Sequence, residues 1–386
     1  MHFKKILFFS ILFIFSLILV GYVPALAQGD AMEPEVYSEP NFNAVQMQTE
    51  VFEAKVLEVL DEVETDTTVL QKLRLEGLSG SYEGQEIIFD GTKYQLTSAN
   101  RYEAGDKVMM EVSAGMDGED FLFVTDYVRQ APIWWLFIVF ALIIIIIGRW
   151  RGFRALVGLA FSFWVILQLI VPQILAGRNP LWVSIWFSLL IIIFSTYITY
   201  GLNKKSSLAI AGTFFGVVVV GILSQVFTNM THLAGIAQEE TLFLISSIPG
   251  VINLKGLLLA GIMIGALGVL DDLTVSQVSM VAELKKANPD FGMKELYKRA
   301  MQVGVDHVAS MVNTLFLAYA GASLPLLLLF GIKQEPFLSM SQVINHEVIA
   351  TEIVRTLVGS IGLALAVPIT TWLAAMVYAK HKENKK

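Results

Sequence analysis

The sequence predicts a polytopic α-helical membrane bundle of about seven spans, preceded by a small extracytoplasmic all-β domain that is either an OB-like barrel or a sandwich. Hydrophobic residues make up 55% of the 386 residues and charged residues only 16%, a balance typical of membrane proteins. Long apolar segments follow one another between residues 131 and 380. Between residues 50 and 130, short strand-like segments alternate with turns, which indicates a separate β domain.

Residues 1–27 are predicted to be a cleaved signal peptide. Lys4 and Lys5 precede an apolar run over residues 6–20, and the sequence ALA at 25–27 has the small-x-small pattern that signal peptidase cleaves. The alternative is an uncleaved anchor, although the run is short for the ~20 residues of a spanning helix. Under both interpretations, the chain from residue 28 onward emerges outside.

Residues 28–49 form a predicted flexible acidic leader, and residues 50–130 form the extracytoplasmic β domain. Residues 28–130 contain 22 Asp and Glu against seven Lys and Arg. Such an acidic domain either concentrates cations near a pore mouth or simply presents a soluble surface. The predicted strands are VFEAKVLEV, QKLRLEGL, EIIF, KVMMEV and FLFVTDYVR.

The transmembrane helical domain is predicted to cover residues 131–380, and a basic cytoplasmic tail covers residues 381–386. Several of its apolar segments are close to the ~20 residues that a bilayer requires. The candidate spans lie near 133–148, 153–175, 181–202, 207–228, 254–271, 306–331 and 351–379.

The distribution of Lys and Arg predicts the orientation of these spans. Only Arg178, Lys255 and Lys333 lie in predicted outer loops. Because basic residues accumulate on the cytoplasmic side, the chain is expected to be a multi-pass membrane protein with residues 28–130 outside and the C-terminus in the cytoplasm. The fourteen basic residues of the predicted inner side are Arg149, Arg151, Arg154, Lys204, Lys205, Lys285, Lys286, Lys294, Lys298, Arg299, Lys380, Lys382, Lys385 and Lys386.

Two adjacent aspartates, Asp271 and Asp272, end the fifth predicted span. Counted from Leu254, the pair lies about 26 Å along the helix, near the cytoplasmic boundary. Beyond it, Ser276 and Glu283 share a face with Asp272, as in an amphipathic helix. The pair either caps that helix or forms an ion or proton site, because carboxylates near hydrocarbon are costly and usually face a bundle interior or a water-filled cavity.

The next span opens with Asp306 and His307, which enter from the same side as the twin aspartates. We therefore expect the two polar clusters to meet and to form one ionisable site. Asn313 and Thr314 lie about 10 Å further along the helix, and Asn313 is on nearly the same face as Asp306. They either extend the site inward or serve as hydrogen-bonding contacts between helices.

Four further residues are secondary candidates, together with Ser276. Glu239 and Glu240 open a short apolar outer segment, broken by proline, that either re-enters the membrane or lies at its interface. Glu352 and Arg355 are spaced i, i+3 at the outer end of the last span. A surface ion pair is the expected arrangement there.

Several classes of function lack support in the sequence. It contains no Walker loop, no G-x-S-x-G and no H-E-x-x-H, so no enzyme activity is expected. Without cysteine, any metal would need Asp, Glu or His ligands. We expect no cofactor and no nucleic acid. The expected partners are the lipid bilayer, an inorganic cation or proton, and an envelope protein.

Three stretches, GALGVLDDLTVSQ, VNTLFLAYAGASLPLLLLF and EIVRTLVGSIGLALAVPITTW, resemble the YibE/F family of bacterial multi-spanning membrane proteins. The resemblance extends over essentially the whole chain, and it implies a fold and a location in the bacterial cytoplasmic membrane but no activity. Some members have a single acidic residue flanked by Met at the position of Leu270-Asp271-Asp272, which leaves open which aspartate matters. Residues 271–304 also show a fainter likeness to a segment of the SecD/SecF and RND permeases.

Transport is the function that these observations favour. The chain is expected to be a secondary transporter or permease, coupled to an ion or proton at a site that includes Asp271, Asp272 and Asp306. The alternative is a non-catalytic scaffold or assembly factor whose outer β domain binds an envelope partner. Several spans with internal acidic residues favour transport, because anchoring alone requires one span.

Overall fold

A computed structural model describes residues 49–64, 69–92, 101–114, 120–237, 239–247, 252–332 and 338–380. The predicted signal peptide, almost all of the leader and the basic tail lie outside these residues. The chain divides into two compact units between Arg129 and Gln130. The first is a β unit and the second is a helical unit.

The β unit is one antiparallel sheet with the strand order β3-β2-β1-β4-β5. β1 is long enough to pair with β2 along one half and with β4 along the other, and two register shifts interrupt its pairing with β2. The five predicted strands are confirmed, and most extend further than expected. Their bounds are β1 (Thr49–Glu64), β2 (Val69–Gly77), β3 (Glu86–Asp90), β4 (Lys107–Ala114) and β5 (Asp120–Tyr127).

Alternating side chains build the core of this sheet. In β2, Gln71, Leu73 and Leu75 are buried while the residues between them are partly exposed. Buried Gln71 is satisfied by the backbone of Tyr102, since its Nε2 donates to the carbonyl (3.0 Å) and its Oε1 accepts from the amide (2.8 Å). The edge strands β3 and β5 approach one another. The single sheet therefore curls as in a partly open barrel, not as in a two-sheet sandwich.

The helical unit contains ten helices within the described residues. Five helical stretches are long and apolar enough to cross a membrane, or up to six if the bent pair α7 and α8, which meet at 73°, counts as one span. The bounds are α1 (Gln130–Val165), α2 (Val171–Leu175), α3 (Pro180–Tyr200), α4 (Lys204–Met230), α5 (Glu239–Ser247), α6 (Leu254–Ala287), α7 (Met293–Ala322), α8 (Leu324–Ile332), α9 (Met340–Asn345) and α10 (Glu347–Ala379); a π-helical turn, Ile166–Ile170, joins α1 to α2.

A break at Arg149 divides α1, where two spans were predicted. The backbone of Arg149 has φ 49° and ψ −130°, which is not helical. A Cβ on Gly152 would lie 2.1 Å from the carbonyl oxygen of Ile144, so the chain turns tightly here and only glycine fits. The two predicted spans thus occupy one helical stretch of 46 residues with a sharp break.

Contacts define two ends of the helical bundle. At one end, a core cluster joins Ala209 of α4, Val278 of α6, Leu296 of α7 and Ala374 of α10. At the opposite end, the Glu347 carboxylate that opens α10 accepts hydrogen bonds from two amides beyond the end of α4. We call the first the basic end, because these residues of the described chain lie at it: Arg149, Arg151, Arg154, Lys204, Lys205, Lys285, Lys286, Lys294, Lys298, Arg299 and Lys380.

Glycines allow α4 and α10 to approach closely. A Cβ on Gly212 would lie 2.2 Å from Thr370 Oγ1, and one on Gly362 would lie 2.2 Å from Val220 Cγ2. α6 packs against both helices, and Leu270 of α6 reaches Gly216. The resulting core around α6 holds the residue immediately before the twin aspartates in place.

Candidate functional site

The twin aspartates lie in the interior of one continuous helix. α6 runs without interruption from Leu254 to Ala287, and its N-cap is Asn253, whose side chain accepts from the Gly256 amide at 2.9 Å. Neither Asp271 nor Asp272 is therefore at a helix N-terminus. The interpretation of the pair as a helix cap is wrong, and another reason must account for two carboxylates in an apolar helix.

A buried hydroxyl group from α3 binds Asp271. Thr196 Oγ1 donates to Asp271 Oδ1 at 3.1 Å, and the Thr196 side chain is fully buried. Asp271 is half-buried, whereas Asp272 is more exposed. Among the described residues, no Lys, Arg or His forms an ion pair with either carboxylate. Within the described chain, the bonded partner of the Asp271 carboxylate is therefore a hydroxyl group and not a cation.

Two further threonines continue this polar region toward α4. Thr274 Oγ1 lies 3.1 Å from the backbone carbonyl of Asp271 and 2.6 Å from Thr213 Oγ1. Thr213 and Thr274 are both fully buried. Helices α3, α4 and α6 thus each contribute a hydroxyl group to this polar region, and the hydroxyl group from α3 binds the carboxylate itself.

Tyr200 connects the aspartates to the basic end. It is the last residue of α3, one helical turn beyond Thr196, and it interacts electrostatically with Asp271, Asp272 and Arg151. The residue is 47% exposed, so it forms part of the bundle surface near the pair.

No hydrogen bond or ion pair of the described residues joins Asp306 or His307 to the twin aspartates. Asp306 is exposed on α7 and has no hydrogen bond or ion pair there, and His307 is half-buried with an unbonded Nδ1. No three His, Cys, Asp or Glu side chains of the described chain are grouped so that they could hold a metal ion. The described residues therefore show no direct bond between the two halves of the predicted four-residue site.

The physical reason is the packing of α7. Gly304 and Ala300 face α6, where Gln277 Nε2 donates to the Ala300 carbonyl at 2.8 Å and lies 2.9 Å from the Cβ position of Gly304. Asp306 is two residues past Gly304, about 200° around the helix, and so points away from this contact. Asn313 shares the exposed side.

Thr314 is exposed as well, and its hydroxyl donates to the Ser310 carbonyl of its own helix at 3.0 Å. The predicted stripe of polar residues from Asp306 to Asn313 and Thr314 does exist on α7. It lies on the exposed side of the helix, and among the described residues these side chains form no hydrogen bond to another helix.

Of the secondary candidates, only Ser276 lies near the pair, one turn beyond Asp272 on the same face of α6. Ser276 and Glu240 are exposed, and the side chain of Glu239 lies outside the described residues. Glu352 and Arg355 form the predicted ion pair at 2.9 Å, but only about a fifth of each side chain is exposed (20% and 19%). This ion pair is largely buried at the opposite end of the bundle, not at the surface as expected.

Sequence reasoning missed Thr196, Thr213, Thr274 and Gln277. Threonines in apolar helices are common and carry no distinctive spacing, so nothing marked Thr196 as the partner of a residue 75 positions away. A weak signal existed for α7, because Ala300 and Gly304 have the small-x-x-x-small spacing of a helix contact.

Together, the apolar helices and the preceding antiparallel sheet define a multi-pass helical membrane protein with an additional β unit. Residues 136–380 match the model of the YibE/F-like protein family, and the chain belongs to this family. The match lies within the helical unit and leaves the β unit outside it. No curated protein and no solved structure matches the chain.

Proposed function

We propose that the protein is a secondary transporter or permease whose coupling ion or proton binds at Asp271 and Asp272. One observation carries the proposal: Asp271 accepts a hydrogen bond from buried Thr196 in the interior of an apolar helix and has no cationic partner in the described chain. Carboxylates in such surroundings are costly, and they typically mark ion pathways or proton relays.

The chemistry of the site suits a small hard cation or a proton. Carboxylate, hydroxyl and carbonyl oxygens are the ligands that hard cations prefer. Asp271 and Asp272 carry like charges at neighbouring positions, so a proton or cation bound to either one relieves their repulsion. Uptake and release at this pair would couple the charge of the site to the packing of α3 against α6.

A topology with seven crossings accompanies this proposal. A helical stretch of 46 residues would be about 69 Å long, more than twice the ~30 Å hydrocarbon core, so its halves on either side of Arg149 are counted as two crossings. α7 and α8 together count as one. The positive-inside rule then places the basic end in the cytoplasm and the β unit outside the cell.

Reconstitution into liposomes with a panel of ions tests the proposed function. Asp271→Asn preserves size and removes the charge, so we expect the variant to accumulate normally and to lose ion- or proton-coupled flux. Asp306→Asn is the matched control, because it removes an exposed carboxylate that has no partner among the described residues. If Asp271→Asn and Asp272→Asn both show the same ion- or proton-coupled flux as the wild type, the proposal is contradicted.

A scaffold function is the second candidate, and exposed apolar residues on the β unit favour it. Val51, Ile88 and Phe121 are 56%, 60% and 41% exposed on three different strands. Isolated exposed apolar side chains are common, but on a small domain they are suitable contacts for a partner. Deletion of residues 50–130 distinguishes the candidates, because a scaffold would lose all function in cells, whereas flux through the helical unit would persist in liposomes.

A further inference from the structure

A cavity of about 510 Å³ opens at the basic end of the helical unit. Arg151, Lys204 and Lys205 line it, together with Tyr200, Ser279 and Tyr378. We propose that this cavity binds a phosphate group, carried either by an anionic phospholipid or by a soluble organic phosphate. The proposal does not depend on the transport function, because none of the lining residues is Asp271 or Asp272.

The charge of the cavity is the first argument. Among the described residues that line it, three side chains are cationic and none is acidic. Lys205 Nζ lies 3.2 Å from Glu283 Oε1, but this same oxygen lies 2.7 Å from Lys286 Nζ, so one carboxylate is shared between two lysines. Arg151 has no ion pair among the described residues. The cavity therefore keeps an excess of positive charge, as a phosphate site requires.

The start of α4 is the second argument. This 27-residue helix begins at Lys204, and the residues of its first turn belong to the cavity wall. The N-cap Asn203 accepts from the Ser206 amide at 3.0 Å, and the Ser206 hydroxyl donates to the Gly201 carbonyl at 2.7 Å, so the turn is held in a fixed geometry. The partial positive charge of a helix N-terminus then adds to that of the side chains.

The remaining lining residues provide hydroxyl groups and aromatic surface. Ser279, Tyr200 and Tyr378 each carry a hydroxyl group that can donate to a phosphate oxygen. The volume of about 510 Å³ lies within the ~300–1,000 Å³ of typical small-molecule sites and exceeds what a bare phosphate ion fills. The cavity thus fits a phosphate with an organic substituent such as glycerol.

The position of the cavity is consistent with both sources of phosphate. It lies where α3 ends and α4 begins, next to the bundle surface formed by Tyr200. Basic pockets between transmembrane helices on the cytoplasmic side bind anionic lipid headgroups. A soluble phosphate compound would reach the same residues from the aqueous side.

Thermal unfolding of the purified full-length protein in neutral detergent tests this inference. One arm adds inorganic phosphate or glycerol phosphate, with sodium chloride at equal ionic strength as the reference. The other adds phosphatidylglycerol to mixed micelles, with phosphatidylcholine as the reference. We expect a saturable stabilisation in at least one arm, and the responding arm identifies the source.

Paired variants show whether the cavity is responsible. Arg151→Gln combined with Lys205→Gln should weaken the apparent affinity about tenfold or more, because two charge-assisted hydrogen bonds are lost. The control, Lys294→Gln combined with Lys298→Gln, removes the same charge at the same end, outside the cavity, and should bind like the wild type. Equal weakening in both double variants would overturn the proposal, as would a wild-type protein that responds in neither arm.

A steric variant covers the case in which the charge variants do not accumulate. Ser279→Phe fills the cavity and leaves all three cations in place. We expect it to weaken binding about tenfold or more as well, with an unchanged far-UV circular dichroism spectrum. Unaltered binding by Ser279→Phe would contradict the placement of the ligand in this cavity.

Discussion

At the scale of single residues, the hydrogen bond between Thr196 and Asp271 is the feature that most directly bears on function. A charged acceptor makes this bond stronger than one between neutral groups, and the burial of Thr196 keeps water from replacing it. The bond also fixes one oxygen of Asp271, which leaves the other oxygen available for a ligand. A change at Thr196 should therefore alter the affinity of the site without altering its charge.

We predict that Thr196→Val shifts the ion or proton concentration needed for half-maximal coupled flux about tenfold or more, since hydrogen bonds to charged groups contribute about 1.5–3 kcal/mol. For a proton the required concentration falls, because the lost hydrogen bond stabilised the ionised form of Asp271 relative to the protonated form. Flux in liposomes as a function of ion concentration measures this. Thr213→Val is the control, because it removes an equally buried hydroxyl group that bonds to Thr274 and not to Asp271. If the two variants shift the curve equally, Thr196 has only a structural role.

Asp90 provides a second prediction at this scale, in the β unit. A hydrogen bond from the Thr92 hydroxyl and, to a smaller extent, an ion pair with Lys72 at 3.3 Å hold the pKa of Asp90 below its ordinary range. A lowered pKa in the folded state stabilises the fold above the pKa of an unfolded aspartate, about 3.9, and this contribution is lost as the pH falls through the folded value. As the pH falls, the free energy of unfolding of Asp90→Asn should therefore decrease less than that of the wild type.

The measurement is denaturant unfolding of a fragment of residues 50–130 from neutral to acidic pH. We expect this fragment to give a β-type spectrum and to unfold cooperatively, because its core cluster is formed within the unit. Asp126→Asn serves as a second variant, since a hydrogen bond from Arg129 lowers the pKa of that carboxyl in the same direction. If the stability of Asp90→Asn falls with pH as steeply as that of the wild type, the interactions of the Asp90 carboxylate do not contribute to stability.

At the scale of secondary structure elements, close contacts between α4, α6 and α10 hold the site. Gly212 and Gly216 are spaced by four residues and lie on one face of α4, against Thr370 and Leu270. Without a hydrophobic driving force between helices in lipid, such close packing supplies much of the association energy. The separation of these helices thus also sets the position of Asp271, the residue after Leu270.

Gly212→Ala should destabilise the bundle by about 1–3 kcal/mol, because the added methyl group would lie 2.2 Å from buried Thr370 Oγ1. Thermal unfolding in detergent, followed by circular dichroism, measures the change. Gly261→Ala is a matched control on α6, since no atom lies within 4 Å of its added Cβ. We expect that control to be neutral or slightly stabilising, as alanine favours helices. Equal melting of both variants would argue against close packing at Gly212.

At the scale of the whole molecule, charge and contacts agree on two distinct ends of the helical unit. The described basic residues between helices lie almost all at the basic end, whereas Arg178 and Lys255 lie at the other. Pro180, which opens α3, reaches the Cβ position of Gly256 near the start of α6, so these two helices begin at the same end. In the topology proposed above, the positive-inside rule predicts that the basic end faces the cytoplasm.

Cysteine labelling tests that assignment, because the chain contains no cysteine of its own. Lys294→Cys at the basic end should be protected from a membrane-impermeant maleimide in intact cells and should react after lysis. Arg178→Cys should react in intact cells.

Reporter fusions test the same orientation. A reporter fused after Lys386 should be active in the cytoplasm, and one fused at Gln334 should be active outside. The reverse pattern would overturn the orientation.

The sequence by itself determined the class of protein, the five strands and the depth of the twin aspartates along their helix. Composition, the alternation of β2 and a count from Leu254 are local properties, so they can be read without neighbours. The distribution of Lys and Arg likewise predicted two ends, which the contacts of the bundle reproduce.

Only the tertiary structure decided what each helix face contacts. Helical periodicity places Asp306 and Asn313 on one side of α7, but the approach of Gly304 to Gln277 turns that side away from the other helices. The same holds for Thr196 and for the cavity around Arg151, which join residues far apart in the chain. A pattern within one segment records which residues share a face, whereas the partner of that face depends on side-chain volumes in several helices at once.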